Sequence, residues 1–122
     1  MRILSLNLKL AKLGDAYVNF LVSAALTLHE GKPVGTKVSG KILAVTYARS
    51  QLAEKCVKVR GVEKAEVVEA LLGYAWLGGI LDAERGVRRL AELLRKGYTL
   101  EDGLVELVNS VVSGFDEVKV EV

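Results

Sequence analysis

The 122-residue sequence has one cysteine, one proline, one histidine, one methionine and one tryptophan. With Cys56 alone no internal disulfide can form, which fits a reducing compartment and leads to the expectation of a cytoplasmic protein. His29 has no second histidine or cysteine at ligand spacing, so a zinc site of the usual composition is excluded. Cys56 has no partner for nucleophilic work and reads as a small apolar residue near a helix end. Asn and Gln are scarce too (Asn7, Asn19, Asn109, Gln51), and charge falls mainly on Lys, Arg and Glu. That is the bias of hyperthermophile proteins, so a thermophilic source is expected. No long apolar run exists. The stretch without charge from Ala16 to Leu28 is interrupted by Asn19, Ser23 and Thr27 and falls short of the roughly 20 residues a bilayer needs. Residues 1–12 carry basic residues among their apolar positions, unlike a secretory signal.

What is present is a core. Apolar residues make up 51% of the chain, too many for a disordered segment, and one domain spanning 1–122 is expected. The net charge of +2 conceals an asymmetry. Residues 32–64 hold eight basic against two acidic residues, a net +6, whereas residues 98–122 hold one against six, a net −5. The basic residues of the middle segment, among them Lys37, Lys41, Arg49, Lys55, Lys58 and Arg60, suit either a polyanion or solvated helix faces.

Apolar periodicity predicts an all-α bundle of five helices. The first covers Leu10–His29, with Leu10, Leu13, Val18, Leu21, Val22, Ala25 and Leu28 inward, and ends before the loop around Pro33. Ser39 caps a second running to about Val57, with Ile42, Leu43, Val45, Ala48 and Leu52 inward. A third, from about Glu63 to Leu77, is apolar on most sides and is therefore expected at the centre; Tyr74 and Trp76 read as core there rather than as stacking partners for bases. Asp82 caps a fourth, Ala83–Lys96, closed by Gly97. Thr99 opens a fifth to about Val112. Both chain ends alternate and admit short strands, paired at an edge or exchanged between subunits.

Gly35–Ile42 superficially follows a phosphate-binding loop, but Ile42 stands where a magnesium-holding hydroxyl is needed and a helix precedes it, so no nucleotide cofactor is expected. The informative residues are carboxylates in apolar helices. Glu66 and Glu69 are three apart on one face of the third helix, and Asp15 follows Gly14 in the first. Like charges there are costly unless a cation joins them, and three acidic side chains suit a hard cation such as Mg²⁺. Spacing alone leaves this even with an exposed acidic stripe and an Asp15 ion pair.

Leu10-Ala-Lys-Leu-Gly-Asp-Ala16 resembles the Leu-Gly-Asp signature helix of ribonuclease III domains. Glu66-Val-Val-Glu-Ala-Leu-Leu-Gly-Tyr-Ala-Trp-Leu-Gly78 resembles their Asp-x-x-Glu-Ala-Leu-x-Gly helix, and Lys41–Glu54 lies where the family has an intervening helix. The likeness spans about residues 7–95, and it is nearest to the short mini-ribonuclease III and archaeal ribonuclease III-like forms, which have no separate RNA-binding domain. It implies an all-α endonuclease that forms a homodimer and cuts double-stranded RNA with Mg²⁺ or Mn²⁺. Carried over by position, Asp15, Glu66 and Glu69 are the catalytic and metal-holding acids; Lys37, Lys41, Arg49, Lys55, Lys58 and Arg60 supply candidates for phosphate contacts. The sequence departs from the pattern at Leu8 and Ala11, where the family has glutamates, and at Lys12, where it has the dimer-locking aromatic. Glu66 replaces an aspartate. These departures open the alternative of a catalytically degenerate dimer that binds RNA or serves in assembly; a helical interaction protein without nucleic acid is a third reading.

Overall fold

Helix α4 (Lys64–Leu77) runs through the middle of the molecule, with Val67, Val68, Ala70, Leu71, Leu72, Gly73 and Ala75 all buried. It has no polar stripe to turn outward because neighbours cover it on several sides. The computed structural model describes residues 1–57 and 60–122. Around α4 stand α1 (Ala11–Glu30), α2 (Gly40–Arg49), a single turn α3 (Leu52–Lys55), α5 (Ala83–Arg95) and α6 (Leu100–Val112), with β1 (Ile3–Asn7) and β2 (Glu117–Glu121) at the chain ends. A 3₁₀ turn, Leu8–Leu10, leads from β1 into α1. The architecture is all-α with two short terminal strands.

The helix boundaries follow local chemistry. Ser39, Asp82 and Thr99 each accept a hydrogen bond from the backbone N–H three residues on, at Ile42, Arg85 and Asp102. Gly97, at φ 96°, closes the end of α5 in the left-handed conformation. Helix α5 is sharply two-faced, with Val87, Leu90, Ala91, Leu93 and Leu94 inward and Arg85, Arg88, Arg89 and Arg95 outward.

Three expectations are corrected. The single helix from Ser39 to about Val57 is two helices: Ser50 is extended (φ −92°, ψ 166°) between α2 and α3. Its hydroxyl donates to the Tyr47 carbonyl at 2.9 Å and accepts from Leu52 N–H at 3.2 Å, offering the backbone an alternative to the helical ladder. Trp76 is not core but 44% exposed; only Tyr74 packs inward, edge-on to Phe115 with centroids 6.3 Å apart. Leu28 and Ala48 also face outward.

The strands pair with each other in parallel, Ile3 opposite Glu117 through Asn7 opposite Glu121. A parallel pair needs a crossover, and here every helix of the domain lies within it. Leu4, Leu6 and Val118 turn inward, and Val57 N–H donates to the Val118 carbonyl at 2.9 Å, so the α3 end joins the same ribbon. Buried Cys56 bridges to Val118 beside it, as a small apolar residue at a helix end. Among the described residues no helix is long and apolar enough to cross a membrane.

Candidate active site

Asp15 and Glu69 meet because two glycines let α1 and α4 touch backbone to backbone. A Cβ on Gly14 would overlap the carbonyl of Glu69, and one on Gly73 would sit 2.6 Å from the Leu10 carbonyl oxygen. At that contact no side chain separates the helices, so Asp15, next to Gly14, reaches the Glu69 carboxyl.

The two carboxyl groups are hydrogen-bonded to each other, and their acidities diverge accordingly. Burial pushes Glu69 up to about 7, and the neighbouring Asp15 adds to the shift. The Glu69 hydrogen bond, followed by that of the Lys37 ammonium, holds Asp15 below the usual carboxylate range. The pair holds one proton between its two members until the pH approaches neutrality. Asp15 Oδ1 also accepts from Asn19 Nδ2 and from Lys37 Nζ, each at 3.3 Å.

Glu66 stands apart. It is half-buried one turn before Glu69, beside a hollow lined by Gly40, Ala44, Val62 and Ala65, and it exerts only the smallest of the influences on Glu69. Among the described residues no three carboxylate, histidine or cysteine side chains converge on one point. Ala11, at the position of a family glutamate, is buried, and Lys12 is exposed.

The basic residues scatter. Lys37 reaches the carboxyl pair, and Lys41 is exposed in the first turn of α2. Arg49 is engaged by Asp102 at 3.1 Å, on the α6 side. Lys55 donates to the Val112 carbonyl at 3.0 Å, closing the end of α6, so its position is explained by folding alone. Arg60 is exposed in a turn, and Lys58 lies outside the described residues.

From the sequence alone Asn19, Ser23 and Thr27 read only as breaks in an uncharged stretch, with no part in the site. With Asp15 they form a polar row at every fourth residue of an otherwise apolar helix, and the row holds the chain segment 34–38 against α1. That period of four was the available signal.

The donor set is chemically consistent with a hard divalent ion: two crowded carboxyl groups, one of them half-exposed, relieved of their mutual repulsion by a cation that keeps several waters. The Asp15 side chain is 44% exposed, so the pair is open to solvent on that side.

The ribonuclease III family model matches residues 8–115. No curated protein matches the chain. With the match covering most of the sequence, the chain belongs to the ribonuclease III family, and its function is of the general ribonuclease type with RNA as the partner.

Proposed function

We propose that this domain is an endoribonuclease that hydrolyses phosphodiester bonds of double-stranded RNA with a divalent cation, Mg²⁺ or Mn²⁺, and that it works as a homodimer. The observation that carries the reading is the Asp15–Glu69 carboxyl pair at the glycine contact of α1 and α4, within the matched family region.

Asp15 and Glu69 would hold the ion, and Glu66, one turn away, would act on it through water. A bound divalent ion supplies a nucleophilic water and stabilises charge on the phosphoryl oxygens. The chain's own residues do the rest. Glu69 must give up its proton to become a ligand, and its pKa of about 7 places that loss near neutral pH. Asn19 orients Asp15, because its carbonyl is taken by the Val38 N–H and its amide nitrogen therefore faces the carboxylate. Lys41 and Arg60, exposed and engaged in no ion pair among the described residues, supply contacts to the phosphate backbone. A-form duplexes are read by shape, phosphate and 2′-hydroxyl contacts, in keeping with a pair that is open to solvent at Asp15. Dimerisation is supported by Trp76, Leu77 and Ile80, 44%, 63% and 41% exposed at the end of α4 and the turn after it.

The test is cleavage of a long duplex RNA with Mg²⁺ or Mn²⁺ by wild type, Asp15→Ala and Glu69→Ala. The reading requires cleavage by wild type and its loss in both variants. Duplex binding without cleavage, with no ion-linked rise in melting temperature, would instead support the degenerate RNA-binding dimer, for which the buried Ala11 speaks.

A further inference from the structure

Residues 34–38 run back along α1 as a strap. Thr27 Oγ1 accepts from Val34 N–H at 2.9 Å, Ser23 Oγ accepts from Thr36 N–H at 3.0 Å, and Asn19 Oδ1 accepts from Val38 N–H at 2.7 Å. Ser23 Oγ also donates to the Thr36 carbonyl at 3.2 Å. The register is physically matched: four helical residues rise about 6 Å, and two extended residues span about 6.6 Å. Each step of the polar row therefore meets every second residue of the strap. Lys37 lies between two pinned neighbours, Thr36 and Val38, and its ammonium reaches Asp15 Oδ1 at 3.3 Å.

A cation is thus already delivered to the oxygen that a divalent ion needs. The Lys37 side chain is 76% exposed, so no packing confines it; the tether is the strap's backbone. That arrangement keeps the local concentration of ammonium at Asp15 high while leaving the side chain free to swing away.

We propose that Lys37 is a tethered counter-ion that competes with the divalent cation for Asp15. It neutralises the carboxyl pair while no ion is bound, weakens ion binding in the free protein, and leaves Asp15 when the ion enters. This rests on the reading of Asp15 and Glu69 as the ion-holding pair. Removing the ammonium takes away both a competitor for Oδ1 and a positive charge beside the incoming ion, so the site should bind divalent ions more tightly without it.

The experiment is Mn²⁺ binding to the full chain without RNA, followed by electron paramagnetic resonance of the free ion, for wild type, Lys37→Gln, Lys37→Arg and Asp15→Asn. Lys37→Gln is expected to bind Mn²⁺ about fivefold more tightly than wild type, and Lys37→Arg within about twofold of it, the scale set by one exposed ion pair. Equal or weaker binding by Lys37→Gln overturns the proposal while leaving the ion site intact, provided Asp15→Asn has lost binding. If wild type and Lys37→Gln both fail to bind Mn²⁺, or Asp15→Asn binds as wild type does, the ion-site reading falls and the proposal with it. A thermal melt of Lys37→Gln close to wild type confirms that the exposed substitution leaves the fold intact.

Discussion

The Cβ that Gly14 lacks would occupy the same space as the carbonyl oxygen of Glu69. The Leu-Gly-Asp sequence of α1 therefore has a packing reason: glycine closes the gap between the helices, and the following aspartate enters the space beside Glu69. Gly14→Ala must push the backbones apart, since neither side has a flexible group to yield. It is expected to cost about 3 kcal/mol and to lower the melting temperature by roughly 10 °C, measured by circular dichroism. Gly103→Ala meets only the tip of the Leu90 side chain, at 2.6 Å, and should cost about 1 kcal/mol because that side chain can move. Equal losses for the two variants would contradict this account.

The shared proton makes a signed prediction for stability in metal-free buffer. Glu69 has a folded pKa of about 7 against an ordinary value of 4.5, so between those pH values the folded state holds a proton that the unfolded chain has lost. Stability from this group is fully present below about pH 4.5, falls as pH rises to about 7, and is flat above. Asp15 has the opposite sign at lower pH: its lowered pKa adds stability above 3.8 that is lost on acidification. Glu69→Gln should flatten the decline between pH 4.5 and 7 and melt higher than wild type at alkaline pH, by about 1–2 kcal/mol after solvent screening. Melting curves across pH check this.

The unequal placement of the acids predicts unequal losses of cleavage. Asp15→Ala and Glu69→Ala each remove a member of the touching pair and should reduce duplex cleavage by more than about 100-fold. Glu66→Ala removes a carboxylate one turn away and should cost about 10- to 100-fold, the range of groups acting through a ligand rather than as one. Single-turnover rates at saturating Mg²⁺ measure the order, and Glu66→Ala as the worst variant would contradict it.

For RNA affinity, the basic residues divide by what already holds them. Lys41→Ala and Arg60→Ala should weaken duplex binding and each lower the salt slope by about 1. Lys55→Ala should leave that slope unchanged and instead cost about 1 kcal/mol of stability, because the Val112 carbonyl loses its donor. Filter binding against salt, beside thermal melts, separates the two effects.

Much of this was legible in the residues alone. Ser39, Asp82, Thr99 and Gly97 act on backbone within one turn, so the helix ends they mark were readable locally. The apolar girth of α4 announced a central helix, and its two glutamates stood out against that background. Ser50 escaped notice because a serine inside an apolar period breaks a helix only when its hydroxyl finds backbone partners. Trp76 misled for a related reason, since an apolar neighbourhood in sequence does not say which side of a helix end is covered.

By itself the sequence determined helix positions, caps and the carboxylates available to an active site, because propensity, capping and periodicity operate over a few residues. The tertiary structure alone decided that Glu69 rather than Glu66 meets Asp15, although the two glutamates share a helix face. It also brought Lys37 to Asp15 and paired the chain's two ends as parallel strands. The first depends on the single turn where Gly14 and Gly73 let two backbones touch, and the others on segments far apart in sequence meeting; no local rule carries that distance.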